Sequence, residues 1–253
     1  MRFLKRYILI LSSLAFVLAC SNPPPNYTGS GQQDDDDPSN SNIVNILFIG
    51  NSLTYFNNGV AGDVQGFYDG GNTDVNSDTH EKAHGGFTLR NHLNNQESIS
   101  LIEDSMWDII VLQENGVEAT QGPEAALESI RDLKDILDSK PATVYLFMTW
   151  AYENESQMTD QLVDFYTLAN EATDWEVVPV GLGWRDFEAE NKTIHLLSDD
   201  GVHPSIYGTY FASAMLFRVI SRQGLFSNAY DADLLPADAA YLRQYANDAL
   251  ARY

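Results

Sequence analysis

The stretch Ile43–Ile49 (IVNILFI) is a short, almost continuous run of branched and aromatic apolar residues. Such a run predicts a strand that is buried on both faces, which is typical of a parallel sheet with helices on either side. Gly50 follows at once and lets the chain turn sharply where the strand ends. We therefore expect Ile43–Ile49 to be the first central strand of an α/β domain.

Four further segments have the composition of short strands, the first more weakly than the others: Asp74–Thr79, Asp108–Leu112, Ala142–Met148 and Trp175–Val180. Helical spacing of apolar residues, or a Pro near the start, predicts helices over Pro123–Asp138, Ser156–Glu171, Pro204–Arg222 and Pro236–Ala251. Strands that alternate with helices indicate parallel crossover units. We therefore predict an α/β fold, a single three-layer α/β/α sandwich with about five parallel strands.

The start of the chain has the features of a bacterial lipoprotein signal. Three basic residues precede the apolar run Tyr7–Leu18, which is too short for a membrane span of about 20 residues. Small residues then lead to Cys20, the only cysteine in the chain, and this arrangement resembles a lipobox. We predict that residues 1–19 are a signal peptide and that Cys20 carries a lipid.

Residues 20–42 are rich in Pro, Gly, Ser, Asn and Asp and offer almost nothing to bury, so we expect the lipidated Cys20 to be followed by a disordered acidic tether. Residues 43–253 then form the single folded domain. The predicted location is the cell envelope, with the lipid at Cys20 anchoring the chain to the outer membrane, on its periplasmic face or at the cell surface.

The net charge is strongly negative. The whole chain carries −22, and removal of three basic and no acidic residues with the signal peptide takes it to −25. Such a surface repels the phosphates of nucleic acids and anionic lipid head groups. We therefore expect no nucleic-acid partner and favour neutral or cationic ligands.

Residues that suit nucleophilic catalysis occur at both ends of the domain. Ser52 follows the strand-end Gly50 by two residues, where it presents its hydroxyl and its N–H at the edge of the sheet; the alternative is a serine that only caps the next helix. Asp200 and His203 are three residues apart across Gly201. At that spacing the carboxylate accepts a hydrogen bond from Nδ1–H and leaves Nε2 free to take a proton.

Together these two stretches resemble the first and last signature blocks of the GDSL, or SGNH, hydrolase superfamily. The resemblance runs from Ile43 to about Arg222. It implies a flavodoxin-like α/β sandwich and ester hydrolysis without a cofactor or metal ion. It also implies that Ser52 is the nucleophile, His203 the base and Asp200 its orienting partner.

The resemblance further implies an oxyanion hole. Its backbone donors are the N–H groups of Ser52 and Gly86, with Gly85 as the alternative, because the second block of the family is a Gly after the second strand. The third block departs from the usual Gly-x-Asn-Asp pattern. This chain has Gln113 and Asn115 there, either amide can donate to an oxyanion, and the sequence leaves that choice open.

The stretch His80–His84 (HEKAH) matches the His-Glu-x-x-His pattern of zinc peptidases, in which a helix turns both imidazoles towards the metal. Turn-forming residues precede this stretch, Gly85-Gly86 follows it, and no apolar stripe accompanies it. We therefore expect no helix and no zinc here, and we interpret the stretch as the approach to the oxyanion loop.

The sequence predicts an envelope-anchored serine esterase that acts on small-molecule or glycan esters, with short acyl groups on carbohydrates as the suggested substrate. Trp150, Tyr152 and Trp184 follow the fourth and fifth strands and either stack on a sugar ring or pack in the core or rim. His92 and His195 are expected on helix surfaces or in loops. The competing hypothesis is a noncatalytic glycan-binding lipoprotein that keeps the fold.

Overall fold

The computed structural model describes residues 42–71, 74–190 and 193–253. These residues belong to one compact unit. The predicted signal peptide, Cys20 and the tether up to residue 41 lie outside the described residues. Within the described ranges, no helix combines the length and the apolar character needed to cross a bilayer.

A single sheet of five parallel strands forms the centre of the described chain. The strands are β1 (Asn42–Gly50), β2 (Val75–Ala83), β3 (Ile109–Leu112), β4 (Thr143–Phe147) and β5 (Glu176–Val178). Their order across the sheet is β2-β1-β3-β4-β5, so the winding direction reverses between β1 and β3. In such sheets ligands bind outside the carboxyl ends of the strands near this reversal.

Ten helices surround or connect these strands in the part of the chain that the structure describes. They are α1 (Ser52–Tyr55), α2 (Gly59–Asp69), α3 (Leu89–Leu93), α4 (Gln96–Asp104), α5 (Gly116–Gln121), α6 (Pro123–Leu137), α7 (Met158–Thr173), α8 (Val180–Glu190), α9 (Ile206–Ser221) and α10 (Pro236–Leu250). A 3-10 turn, Phe56–Asn58, joins α1 to α2.

The residues of β1 alternate between two hydrophobic cores. Ile46 and Phe48 are buried in one core with residues of α2, α8, α9 and α10, and Leu47 and Ile49 are buried in the other with residues of α3, α4, α6 and α7. Because a strand points successive side chains to opposite faces, an unbroken apolar run can fill both cores. The predicted α/β/α sandwich with five parallel strands is confirmed.

Several predicted elements differ from the structure in their bounds, and the differences at β2 and at the start of α9 have a clear cause. β2 continues beyond Thr79 to Ala83, because its residues pair in register with β1 as far as Gly50, and pairing outweighs a polar composition. Pro204 was expected inside the first helical turn, but α9 starts at Ile206 with Ser205 as its cap. Pro204 instead forms an isolated bridge with Leu197, which fixes the chain just before the helix.

Candidate active site

Ser52 lies at the carboxyl end of β1, where it is the first residue of α1. The N-cap of this helix is Asn51, whose side-chain oxygen accepts a hydrogen bond of 3.1 Å from the N–H of Leu53. The interpretation of Ser52 as a helix cap is therefore wrong, because the neighbouring Asn already caps the helix. The Ser52 hydroxyl is directed to another partner.

That partner is His203, which in turn contacts Asp200. The Oγ of Ser52 lies 2.8 Å from Nε2 of His203, and Nδ1 of His203 lies 2.7 Å from Oδ2 of Asp200. In a neutral imidazole whose Nδ1–H donates to the carboxylate, Nε2 accepts the serine proton. The structure thus brings the three residues together in the order that nucleophilic catalysis requires.

Asp200 is held as a charged acceptor by its own loop. Its Oδ1 accepts hydrogen bonds from the N–H groups of His203 and Val202, both at 2.9 Å, and from the Ser198 hydroxyl at 2.8 Å. The N–H of His203, then that of Val202, and the bond from the His203 ring hold the pKa of Asp200 well below its usual range. The carboxylate therefore stays ionised and orients the imidazole.

The loop that carries Asp200 and His203 is attached to the end of β4. The indole N–H of Trp150 donates to the carbonyl of Val202 at 3.1 Å, and the N–H of Glu153 donates to the carbonyl of Gly201 at 2.7 Å. Gly201 has a φ of +70°, and a Cβ there would lie 2.7 Å from Cβ of Glu153. Only glycine allows this close approach, which explains the Gly between Asp200 and His203.

The segment after α1 packs on the imidazole. Phe56 stacks on the ring of His203, and the side-chain amide of Asn57 donates to the carbonyl of Pro204 at 2.7 Å and to the Thr209 hydroxyl at 3.0 Å. Asn57 adopts a left-handed backbone with a φ of 53°. Sequence reasoning missed this role of Phe56 and Asn57; the only signal was the Asn-Asn-Gly run, whose residues tolerate positive φ.

Gln113 lies beneath the loop that carries Ser52, with 1% of its surface exposed. Its Oε1 accepts hydrogen bonds from the N–H of Asn51 at 2.8 Å and the Thr54 hydroxyl at 3.0 Å, and its Nε2 donates to the carbonyl of Glu114 at 2.6 Å. A Cβ on Gly50 would lie 2.6 Å from this Oε1, so the strand must end in glycine. Both ends of the Gln113 amide are engaged in holding the loop of Ser52.

The predicted oxyanion loop passes close to the start of α5. Gly86 has a φ of +73°, its carbonyl accepts from Nδ2 of Asn115 at 3.2 Å, and the neighbouring carbonyl of Phe87 accepts from Nδ2 of Asn51 at 3.0 Å. The Oδ1 of Asn115 caps α5. Among the described residues, no acceptor contacts the N–H groups of Ser52 and Gly86, so both are available to a ligand.

A buried carboxyl group supports the same loop. Glu114 is 1% exposed, and its Oε1 accepts from the N–H of Leu89 at 3.1 Å and from that of Asn115 at 2.6 Å. Its Oε2 is buried without a hydrogen-bond partner among the described residues. Burial raises the pKa of Glu114 to about 8. Glu114 thereby joins the loop after β2 to the loop after β3.

The stretch His80–His84 lies on β2 and just after it, so the absence of a helix here is confirmed. Successive strand residues point to opposite faces, so Glu81 points away from the two histidines. His80 packs edge-on against Trp107, with ring centroids 5.0 Å apart, whereas a Cβ on Gly59 of α2 would lie 2.6 Å from the Glu81 carboxylate. This arrangement does not bring the two imidazoles and the Glu81 carboxylate together, as a zinc peptidase requires.

The expectation that His92 lies on a helix surface or in a loop is wrong. His92 is fully buried, and its Nε2 lies 2.8 Å from the carbonyl of Gly50 while its Nδ1 lies 2.9 Å from the Ser98 hydroxyl. Burial lowers the pKa of His92, so a neutral ring with Nε2–H fits this site. The ring satisfies the carbonyl at the end of β1, a demand that a sequence pattern does not show.

The aromatic residues after β4 and β5 divide into two groups. Trp150 and Trp184 stack on each other in the core, with centroids 3.9 Å apart and an interplanar angle of 11°. Tyr152 is only half-buried and lies at the rim. His195 is exposed in a loop, as expected.

No family model and no curated protein sequence matches this chain. Several solved structures are similar to this chain. A DUF4886 family protein from Bacteroides uniformis ATCC 8492 is similar with a TM-score of 0.70 and 17% identity, over 83% of this chain and 95% of that protein. A candidate SGNH hydrolase from Slackia heliotrinireducens is similar with a TM-score of 0.60 and 23% identity, over 71% of this chain and 100% of that protein.

A catalytic mutant of an acetylxylan esterase from Geobacillus stearothermophilus is also similar, with a TM-score of 0.52 and 17% identity, over 71% of this chain and 93% of that protein. All three proteins align with most of the described domain. The predicted resemblance is confirmed at the level of the fold. This chain has the α/β fold of the SGNH hydrolases.

Proposed function

We propose that this chain is a serine esterase that hydrolyses acyl esters through an acyl-enzyme. The observation that supports this proposal most is the unbroken hydrogen-bonded series from Ser52 through His203 to Asp200 at the carboxyl edge of the sheet. Nucleophile and base are within hydrogen-bond reach, and the base is oriented by a third group.

Acylation begins when Oγ of Ser52 attacks the ester carbonyl carbon while Nε2 of His203 takes the hydroxyl proton. The electrons of the carbonyl double bond move to its oxygen, and the N–H groups of Ser52 and Gly86 stabilise the oxyanion. When the intermediate collapses, the bond to the alcohol breaks, and the alcohol leaves with the proton from the imidazolium. The ionised Asp200 stabilises that imidazolium.

Deacylation repeats these steps with water. His203 takes a proton from a water molecule that attacks the acyl-enzyme carbonyl, and the oxyanion forms again in the same site. Collapse then breaks the bond to Oγ of Ser52, which regains its proton from Nε2. The products are a carboxylic acid and the free enzyme, so no cofactor is consumed.

For the third oxyanion donor we propose Asn115 rather than Gln113. One N–H of the Asn115 amide is used by the carbonyl of Gly86, which leaves the second N–H beside the Gly86 donor. Gln113 is 1% exposed, and its amide is bonded beneath the loop of Ser52 rather than at Gly86. A single side-chain donor of this kind contributes about 3 kcal/mol to the stabilisation of the transition state.

The proposed setting is the bacterial cell envelope, where a lipid on Cys20 anchors the domain and short acyl groups on carbohydrates are the substrate class. The signal-like segment before Cys20 supports the anchor. The similarity in fold to an acetylxylan esterase supports the substrate class. The strongly acidic surface favours a neutral substrate.

The test is hydrolysis of an aryl acetate by the purified protein, together with labelling by a fluorophosphonate, which reacts with activated serines. We expect turnover and labelling at Ser52, both lost in Ser52→Ala and both kept in the matched variant Ser139→Ala, an exposed serine far along the chain. Absence of turnover and of labelling in the folded wild type would favour the noncatalytic glycan-binding lipoprotein.

A further inference from the structure

Two clefts open beside the proposed active site and share part of their lining. The larger has a volume of about 840 Å³ and lies between the start of α7, α8 and the loop that ends at Ser198 and Asp199. The smaller has a volume of about 320 Å³ and lies between α5 and the start of α7. Tyr152 and Ser156 line both clefts, and we refer to the two clefts together as the polar groove, because most of their lining residues are polar or charged.

The middle of this polar groove touches both catalytic loops. A Cβ on Gly116, directly after Asn115, would lie 3.3 Å from the hydroxyl of Tyr152. Glu153, which follows Tyr152, donates its N–H to the carbonyl of Gly201 at 2.7 Å. Gly201 lies between Asp200 and His203 in the chain. A ligand in the groove therefore lies directly beside the site where the ester reacts.

Amide and hydroxyl side chains, which both donate and accept hydrogen bonds, line the groove together with charged residues. They include Thr120, Gln121, Asn154, Gln157, Gln161 and Ser198. Tyr152 adds a half-buried aromatic ring whose hydroxyl has no hydrogen-bond partner in the part of the chain that the structure describes. Sugar hydroxyls match such polar groups, and an aromatic ring offers a surface for the apolar face of a sugar.

The charged residues of the groove restrict the class of ligand further. Glu153 and Glu188 line the larger cleft together with Arg185, and Glu155 lines the smaller one. A lining with an acidic excess repels uronic acids and phosphorylated sugars.

We propose that the polar groove binds the neutral oligosaccharide that carries the ester, so that the substrate is a neutral glycan bearing a short acyl group. This inference rests on the proposed esterase function. The sugar chain lies along Tyr152 and Ser156, and its acyl group reaches Ser52 across the loop of Asp200 and His203. The groove thus recognises the alcohol side of the ester.

The kinetic test uses O-acetylated neutral oligosaccharides from the monosaccharide to the hexasaccharide, with an aryl acetate as the reference. In the wild type we expect kcat/KM to rise about tenfold or more with chain length, through KM. Ser156→Trp places an indole in the groove, because Ser156 is exposed there, and should abolish the rise of kcat/KM with chain length. It should lower the ratio of oligosaccharide to aryl acetate kcat/KM by about the same factor.

The matched control is Ser139→Trp, which adds the same side chain at an exposed turn before β4, at the opposite edge of the sheet. It should keep the dependence on chain length. A wild type that hydrolyses the aryl acetate but shows no rise with chain length would overturn the groove proposal. Equal losses on both substrates in Ser156→Trp would also overturn it.

A binding measurement separates this inference from the proposed function. Calorimetric titration with an unesterified neutral hexasaccharide needs no turnover, and we expect binding to the wild type and to Ser139→Trp but not to Ser156→Trp. Binding without hydrolysis would overturn the esterase and leave the groove as a glycan site. Hydrolysis without binding, or stronger binding of an acidic oligosaccharide of equal length, would overturn the groove proposal alone.

Discussion

The ring of Phe56 lies face to face on the imidazole of His203, with centroids 4.4 Å apart and an interplanar angle of 17°. Phe56 comes four residues after Ser52, so one short segment supplies both the proposed nucleophile and the support of the proposed base. The stacked ring covers one face of the imidazole and holds its plane where Nε2 meets Oγ. An aromatic face also attracts the imidazolium that forms during catalysis.

Replacement of Phe56 by Leu should therefore lower kcat about fivefold to tenfold with little change in KM. The loss of kcat is expected because the imidazole of His203 is less firmly positioned and its imidazolium form is less well stabilised. Phe56→Tyr keeps the ring and should retain most of the activity. A rise in KM at unchanged kcat would show instead that Phe56 contacts the substrate.

Ser52→Ala and His203→Ala should each remove nearly all esterase activity and leave the fold intact, because each destroys the same unit of nucleophile and base. Asp200→Asn should lose less, though still about 10⁴-fold, because the amide favours the wrong imidazole tautomer. Steady-state kinetics with an aryl acetate measures all three losses. Asp199→Asn, one position away, is the control, and a larger loss there would show that the carboxylate has been misassigned.

Asn57 offers a test of stored backbone strain. Asn57→Gly keeps the left-handed backbone but removes the hydrogen bonds to the carbonyl of Pro204 and the Thr209 hydroxyl. Asn57→Ala removes the same bonds but, unlike Gly, has a Cβ, which disfavours positive φ by about 1 kcal/mol. The free energy of unfolding in urea should therefore be lower for Ala than for Gly by about that amount. Equal stabilities would contradict this interpretation.

Glu114 should make stability depend on pH. Burial raises its pKa from 4.5 to about 8, so the folded state holds a proton that the unfolded chain releases between these values. Its contribution is fully present below the unfolded pKa and is lost as pH rises through the folded pKa, by up to about 1.4 kcal/mol per pH unit. Glu114→Gln has no titratable carboxyl at this position and therefore lacks this contribution to stability.

The measurement is the free energy of unfolding of the wild type minus that of Glu114→Gln, at several pH values between about 5 and 9. This difference should fall as the pH rises and become flat above the folded pKa. The subtraction cancels groups common to both proteins, including Asp63, whose pKa burial raises to about 6. A difference that does not vary with pH would mean that Glu114 is charged in the folded protein throughout.

Metal removal should leave the esterase intact. The oxyanion is stabilised by N–H groups, and His80 and Glu81 point to opposite faces of β2, so catalysis requires no zinc at this stretch. Activity should survive exhaustive dialysis against EDTA, and His80→Ala should be nearly silent. His84→Ala is expected to cost somewhat more, because His84 donates its N–H to the carbonyl of Gly50 and leads into the oxyanion loop. Zinc at one atom per chain with chelator-sensitive hydrolysis would restore the metalloenzyme interpretation.

The sequence by itself determined the sandwich and the pairing of Asp200 with His203, because both depend on short-range spacing. The meeting of Ser52 with His203, 151 residues away, was expected from the family resemblance. The apolar run Ile43–Ile49 is interrupted only by Asn45 and has no polar face, which predicts a strand buried on both sides. Asp200 and His203 are close enough along the chain to meet within one loop, and Ser52 follows the glycine that ends β1. These predictions therefore rested on the spacing of residues along the chain.

Only the tertiary structure decided which amide lies at the oxyanion loop and which lies beneath Ser52. Gln113 and Asn115 are two residues apart and chemically alike, but the turn after β3 directs one towards Asn51 and the other towards Gly86. The burial of His92 against Gly50 likewise depends on a partner 42 residues away. Such contacts follow from which strand ends become neighbours in the sheet, and hydrogen-bonding demands inside a packed core leave no periodic pattern in the sequence.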